Sequence, residues 1–233
     1  HRVLVEQLDG PGTVPLAEDE SHHLQVRRAA AGEAVEVLDG LGGGGQGILE
    51  PRGREWVVAV ATVRRTSPPP PLELLVGAGD RDRFGWLVEK AVELGVTAVI
   101  PVETERSNAV ATRIKASHRA KLVRRAEEAL KQCGGRWLPD LPEPMPLARA
   151  LASVTAECRW VAEATGGLPS GVGNRAGVAI VVGPEGGLTE GERAAVLAAG
   201  FFPVRLGPRI LRFETAALAA AAMAAHHREE RDD

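Results

Sequence analysis

The stretch that decides the fold reads Val178-Ala179-Ile180-Val181-Val182-Gly183-Pro184-Glu185-Gly186-Gly187-Leu188-Thr189. Its five leading apolar residues predict a buried strand over Val178–Val182. Thr189 and Glu192 have the spacing of a capping box, so we expect a helix to begin at Thr189. A glycine turn between strand and helix is a common ligand site and, with equal weight, a plain tight turn. The stretch lacks both a Gly-Lys-Ser/Thr motif and a clean G-x-G-x-x-G, which argues against a P-loop or a Rossmann dinucleotide site.

A second loop of the same kind spans Leu206–Ala216. Pro208 stiffens it, and Arg209 and Arg212 place positive charge beside backbone amides, although both can also be ordinary surface residues. Three apolar side chains predict that this loop packs against the protein: Ile210, Leu211 and Phe213.

Working outward from these loops, strand-like and helix-like runs alternate from Leu72 onward. The predicted strands are Leu72–Gly77, Ala98–Val102, Arg159–Ala162, Val178–Val182 and Phe202–Leu206. One predicted helix begins at Asp82, whose carboxylate is expected to cap the first amides. The other predicted helices cover Lys115–Gln132, Thr189–Ala199 and Glu214–His227. This alternation predicts an α/β domain with a mostly parallel sheet, helices on both faces, and ligands at the carboxyl ends of the strands.

The run Thr66–Pro71 contains four consecutive prolines, which favour an extended connector. Before it, short β-like runs alternate with turn residues, interrupted by one helix-like segment, Glu18–Arg28. Asp39-Gly40 and Gly42–Gly45 are expected to be tight turns. We therefore predict two domains: a small, mostly β domain over residues 1–66, closed as a barrel, and the α/β domain over residues 72–233.

The composition is that of an ordinary globular protein, with 44% hydrophobic and 25% charged residues. Cys133 and Cys158 have no metal or redox spacing, and no convincing set of metal ligands is present, which favours a reduced cytoplasmic setting. No secretory signal is evident. The apolar run Ala216–Ala225 is much shorter than the roughly 20 residues that span a bilayer, so no membrane segment is expected.

Positive charge is concentrated between Arg106 and Arg136, although the whole chain has a net charge of −3. Nine lysines and arginines stand there against Glu127 and Glu128. Such a run is equally a solvated helix face and a surface for a phosphate backbone.

Together, the two loops and Gly77-Ala78-Gly79-Asp80 resemble the adenosylmethionine pocket of SPOUT (trefoil-knot) methyltransferases. More narrowly, nearly the whole chain is similar to the RsmE family, which methylates N3 of uridine in 16S ribosomal RNA. The motifs that carry this resemblance are His22-His23-Leu24 through Gly32, Asp39-Gly40, Glu89–Val96, Pro101, Glu105–Ser107, Gln132 and Arg136. The chain departs from the family pattern at Arg27 and Phe213.

The resemblance implies a PUA-like RNA-binding domain followed by a knotted domain that binds S-adenosyl-L-methionine. The implied cofactor residues are Gly183, Glu185, Gly187, Leu206, Gly207, Ile210, Leu211 and Thr215. Since uridine N3 must lose a proton, Arg212 is the candidate for stabilising the uridine anion, with Glu185 a weaker candidate base. The implied RNA-binding residues are Arg2, Arg28, Arg106, Arg113, Lys115, Arg119, Arg124 and Arg136. The Ala-rich final helix and the family predict a homodimer acting on 16S rRNA or the small ribosomal subunit.

Two other functions remain open at this point. One is a SPOUT methyltransferase that acts on tRNA or on another rRNA base, because the loops read the cofactor and not the RNA. The other is a non-catalytic RNA-binding or ribosome-assembly factor that keeps the fold.

Overall fold

The computed structural model describes residues 1–53, 55–169 and 177–229, without the side chains of residues 108 and 227–229. The chain forms two compact units. The first contains His1–Pro68 together with Glu127–Leu138, and the second contains Pro69–Ala126 and the rest of the chain from Pro139. The division predicted at the proline run assigned Glu127–Leu138 to the second domain, whereas in the structure this segment belongs to the first unit. Within the described residues, no helix is long and apolar enough to cross a membrane.

The N-terminal unit is a five-stranded sheet with one helix. Its elements are β1 (Arg2–Leu4), β2 (Gly12–Pro15), α1 (Glu18–Val26), β3 (Ala34–Leu38), β4 (Gly43–Arg52) and β5 (Glu55–Arg65). The strand order is β1-β3-β4-β5-β2, in which β1 and β3 are parallel and the other pairs antiparallel. Alternate strand residues, including Val35, Val37 and Val58, pack with Leu24 of α1 to form the core.

The glycine run of the N-terminal unit is a strand, which corrects the expectation that Gly42–Gly45 is a turn. A Cβ on Gly43 would collide with the Asp39 carboxylate, and one on Gly44 would collide with the Arg136 guanidinium. The missing side chains therefore admit two charged groups from neighbouring segments. Asp39 accepts hydrogen bonds from the amides of Leu41 (2.8 Å) and Gly43 (2.7 Å), which fixes the start of the strand.

The C-terminal half of the long helix α3 (Arg119–Cys133) packs in the N-terminal unit. Lys131 Nζ lies 2.6 Å from Glu20 Oε2, with only 16% and 10% of the two side chains exposed. Arg2 donates from Nη1 to the carbonyls of Lys131 (3.0 Å) and Gln132 (2.8 Å) at the end of the helix. These contacts explain why the segment joins residues far from it in sequence.

The second unit is built on a six-stranded sheet in which every described pair is parallel. Its strands are β6 (Leu72–Gly77), β7 (Ala98–Glu103), β8 (Met145–Pro146), β9 (Cys158–Gly167), β10 (Val178–Val182) and β11 (Phe202–Val204). Besides the first part of α3, its helices are α2 (Arg81–Glu93), α4 (Leu147–Ser153), α5 (Glu190–Ala198) and α6 (Phe213–Glu229). The order β11-β9-β10-β6-β7-β8 confirms the predicted α/β class.

Helices cover both faces of this sheet, as predicted. On one face, Leu75 and Val181 pack with Leu151 of α4 and Val196 of α5. On the other, α6 packs against β6, β10 and α2. All residues of β6 and β10 are buried, which is the pattern of central parallel strands.

Local details of the second unit differ from the sequence-based expectations. Asp80, and not Asp82, caps α2, because its carboxylate accepts from the amides of Asp82 (3.0 Å) and Arg83 (3.1 Å). β8 and α4 were not predicted, since both are short. The box at Thr189 is confirmed: its hydroxyl accepts from the Glu192 amide, and the Glu192 carboxylate accepts from the Thr189 amide at 2.9 Å.

We expect Lys131→Ala to lower the free energy of unfolding by about 3 kcal/mol, because it leaves the Glu20 carboxylate buried without its cation. Urea denaturation followed by tryptophan fluorescence measures this. The double variant Lys131→Met/Glu20→Leu, which removes both charges and keeps the volume, should be close to the unmodified protein. Equal losses in the single and double variants would contradict a role for the ion pair.

Candidate active site

Three turns meet at the carboxyl edge of the parallel sheet. Because β6 and β10 pair in register at Val76 and Val182, the residues that follow leave the sheet side by side. A Cβ on Gly77 would lie 2.5 Å from Pro184 Cδ and closer still to the Pro184 amide nitrogen. A Cβ on Gly79 would lie 2.9 Å from both Glu185 Oε2 and Phe213 Cε1. The two glycines therefore allow the turn after β6 to contact both loops that were singled out in the sequence.

Glu185 links the first two turns through its carboxylate. Its Oε1 accepts from the Asp80 amide at 3.2 Å. The Thr112 hydroxyl, 2.6 Å from Asp80 Oδ2, and the amides at the start of α2 hold the pKa of Asp80 below its ordinary value. Asp80 is therefore ionised at neutral pH. Its carboxylate caps α2 while its amide binds Glu185, so one residue connects the helix to the loop after β10.

Arg106 fixes the glycine loop from the side of β7. Its Nη1 donates to the carbonyls of Gly186 (2.6 Å) and Leu188 (3.2 Å). The Glu105 amide donates to Glu192 at 2.8 Å, so the capping carboxylate of α5 also holds the chain that carries Arg106. Gly187, at φ +71°, makes the turn that only glycine adopts easily, and its amide donates to the Pro184 carbonyl.

A cleft of about 320 Å³ opens beside these turns and continues into a second recess of about 170 Å³. The two share a wall from β9, the side chain of Leu211 and the start of α6. The larger part is lined by Val161, Ala162, Glu163, Ala164, Thr165, Val182, Gly183, Gly187, Leu188, Arg193, Leu211, Phe213 and Ala216. The recess is completed by Arg205, Leu206, Gly207, Arg209 and Ile210. The cleft thus has a mixed lining, in which apolar side chains alternate with charged groups and glycine backbone lies at one side.

One ion pair stands in the wall of the cleft. Arg193 donates to both carboxylate oxygens of Glu163, at 2.8 and 3.0 Å. Glu163 lines both parts of the cleft, and its side chain is only 16% exposed. Arg193 therefore occupies both oxygens of the carboxylate, and the bidentate pair fixes the two side chains in the wall of the cleft.

The structure brings six of the eight predicted cofactor residues to the cleft: Gly183, Gly187, Leu206, Gly207, Ile210 and Leu211. Glu185 lies at the junction of the turns instead, and Thr215 is exposed on the first turn of α6. The expectation that Ile210 packs is wrong, since this side chain is 92% exposed. Phe213 does pack, with 3% exposed, and Arg212 is exposed at the mouth of the loop.

Several arginines predicted to bind RNA have their donors engaged inside their own unit. Arg2 binds Glu36 as well as the end of α3, and Arg106 binds the glycine loop. Arg119 donates to the Leu141 carbonyl at 2.7 Å. Arg136 differs, since it packs half-buried over Gly44 and its buried Nη1 has no hydrogen-bond partner among the described residues. The other predicted residues are exposed or half-buried on the surface: Arg28, Arg113, Lys115 and Arg124.

The sequence did not reveal the wall of the cleft. Ala162–Thr165 lie far from both loops along the chain, and only the pairing of β9 with β10 brings them to the same edge. The apolar run of β9 was the one sequence signal for this wall, because neighbouring parallel strands end at the same edge of a sheet.

Comparisons with known proteins agree with this geometry. Residues 66–225 match the family model described as an RNA methyltransferase domain, and residues 16–60 match an RNA methyltransferase PUA domain. A relative from Synechocystis, named ribosomal RNA small subunit methyltransferase E, is 31% identical over 90% of this chain and 72% of its own length. A relative of the same name from Mycobacterium tuberculosis is 32% identical over 93% of this chain and 87% of its own.

Solved structures give the same result for the fold. The Neisseria gonorrhoeae ribosomal RNA small subunit methyltransferase E, bound to S-adenosyl methionine, superposes with a TM-score of 0.85 at 29% identity, covering 97% of both chains. A Legionella pneumophila protein in complex with the same cofactor superposes with a TM-score of 0.83 at 25% identity, covering 97% of this chain and 96% of that one. With its PUA-like unit, its parallel α/β sheet and its cleft at the strand ends, this chain belongs to the ribosomal RNA small subunit methyltransferase E family.

Proposed function

We propose that this protein transfers a methyl group from S-adenosyl-L-methionine to N3 of a uridine in the 16S rRNA of the small ribosomal subunit. The observation that carries the proposal is the meeting of three glycine-containing turns beside one cleft at the strand ends. The Neisseria relative, which binds S-adenosyl methionine, supports it over almost the whole chain.

The cleft fits this cofactor. Its volume of about 320 Å³, extended by the recess, lies in the range of small-molecule sites. A Cβ on Gly183 would lie 3.2 Å from the Gly187 backbone, so glycine at this position lets the two ends of the loop lie close together. Leu206, Ile210 and Leu211 supply an apolar slot for the adenine.

When bound, the cofactor supplies a methyl group on a positively charged sulfur. Uridine N3 must lose its proton to accept that methyl group, and the resulting anion requires a nearby cation. Within the described residues, the Arg212 guanidinium has no hydrogen bond or ion pair and is exposed next to Leu211 of the cleft. We assign it to the uridine anion. Glu185, held by the Asp80 amide, then positions the loop and is the weaker candidate for accepting the proton.

The proposal includes a homodimer in the cytoplasm, where ribosomal RNA is the substrate. Two large exposed apolar side chains support a second copy of the chain as a partner: Ile210 in the recess is 92% exposed, and Phe202 at the start of β11 is 69% exposed. Burial of such side chains in a dimer removes apolar area from water. Light scattering at micromolar concentration tests this, and a monomer would refute it.

Two other functions are distinguished by direct measurements. A non-catalytic RNA-binding factor would not bind S-adenosyl-L-methionine in calorimetry. A methyltransferase for tRNA or another rRNA base would bind the cofactor, yet mass mapping of 16S rRNA from cells without the protein would show no missing methyluridine. Loss of one methyluridine supports the proposal.

We expect Gly77→Ala to weaken binding of S-adenosyl-L-methionine by about tenfold, because the new methyl group pushes Pro184 away from the turn after β6. Calorimetry measures the dissociation constant. Gly191→Ala is the control, since its Cβ meets nothing within 4 Å and the residue is exposed on α5, outside the lining of the cleft. If the two variants bind equally well, the close approach of the turns does not shape the cofactor site.

We expect Arg212→Gln to lower kcat about 100-fold while the dissociation constant of the cofactor stays within about twofold, because the guanidinium acts on charge that develops only in the reaction. Methyl transfer to 16S rRNA measures the first and calorimetry the second. Arg209→Gln removes the same charge from the same loop and serves as the control. Equal kcat values for the two variants would end the catalytic assignment.

A further inference from the structure

A second, basic cavity of about 210 Å³ lies between α2 and the segment that leads into α3, away from the residues of the cofactor cleft. Its floor consists of buried residues, Gly85, Ile114 and Leu122. Three cationic side chains surround it: Arg81, Lys121 and Arg125. Among the described residues that line it, Asp82 is the single acid, so the cavity is positive in a chain whose net charge is −3.

Gly85 positions one of these cations. It lies in the interior of α2, where glycine costs stability, and a Cβ there would come within 3.0–3.3 Å of the Arg125 guanidinium and of no closer atom. The planar guanidinium therefore rests against bare helix backbone at the floor of the cavity. Such a group presents several donors in a fixed fork, which matches the oxygens of a phosphate.

The cations are available to an anion. In the described part of the chain, no carboxylate forms an ion pair with Arg81, Lys121 or Arg125. The amides at the start of α2 are already engaged, by the Asp80 carboxylate and by the Thr112 carbonyl, so an anion here would be held by side chains. His118 Nδ1 accepts from the Lys115 amide at 3.0 Å, which leaves Nε2 of this cavity-lining ring as the proton-bearing donor.

We propose that this cavity binds a backbone phosphate of the RNA substrate, held by Arg81, Lys121 and Arg125 with a donor from His118. The inference rests on the proposed RNA substrate and adds a docking point that is separate from the cofactor cleft. An RNA phosphate is favoured over a protein carboxylate because three cations border the cavity, which suits a tetrahedral anion with several accepting oxygens.

The test compares three variants of the full chain by filter binding to 16S rRNA over a range of salt concentrations. Arg125→Gln should raise the dissociation constant for the RNA about tenfold and reduce the salt dependence by about one phosphate contact. Arg149→Gln removes an equal charge from an exposed position on α4, and should stay within about twofold of the unmodified protein. The affinity for S-adenosyl-L-methionine should be unchanged in both.

Gly85→Ala sharpens the test, because it removes no charge. Its methyl group displaces only the flexible end of Arg125, so the protein should remain folded in thermal unfolding and bind RNA several-fold more weakly.

An equal RNA affinity for Arg125→Gln and Arg149→Gln would overturn the proposal. A second result would also overturn it. If millimolar inorganic phosphate stabilised the unmodified protein but not Arg125→Gln, and Arg125→Gln still bound RNA normally, the cavity would bind a free anion and not the RNA. Failure of the proposed function itself gives a different result, in which the unmodified protein binds neither 16S rRNA nor S-adenosyl-L-methionine.

Discussion

The contact between the turn after β6 and the turn after β10 is the constraint on which the site depends. β6 and β10 are hydrogen-bonded neighbours, so their chains leave the sheet together, and only a residue without a side chain at Gly77 lets Pro184 lie against it. Gly79 then admits Glu185 and Phe213, which brings the third loop to the same place. The position of the cleft follows, because one of its sides is the loop that this contact holds.

The elements that could be predicted are those whose cause is local. The apolar runs of β6 and β10 and the box at Thr189 are short-range signals, and the structure has all three. The glycine run of β4 could not be assigned correctly, since the Asp39 and Arg136 side chains that require it come from other segments. The helix cap was placed at Asp82 for a related reason: Asp80 also belongs to the turn, and its bond to Thr112 is not local.

The site shows the same division between local and distant causes. The glycines and leucines of the two loops could be found, because loops that follow apolar strands are where α/β proteins bind ligands. The Glu163–Arg193 wall could not, since it depends on which strand lies beside β10. For the basic run between Arg106 and Arg136, the sequence could not show that Arg106 also donates to the glycine loop and that Arg136 also packs over Gly44, because both contacts are with distant segments.

Helix α2 connects the two parts of the surface that the proposals assign to cofactor and RNA. Its capping residue, Asp80, donates an amide hydrogen bond to Glu185 in the cofactor loop. The Arg125 guanidinium packs against Gly85 of the same helix at the basic cavity. The two residues are five positions apart, about 7 Å along the axis, on one continuous helix. A phosphate held at the cavity would therefore stand at a fixed distance from the loop that holds the cofactor. Because a helix deforms little at this length, binding of the RNA backbone would also set how far the target base must reach to enter the cleft.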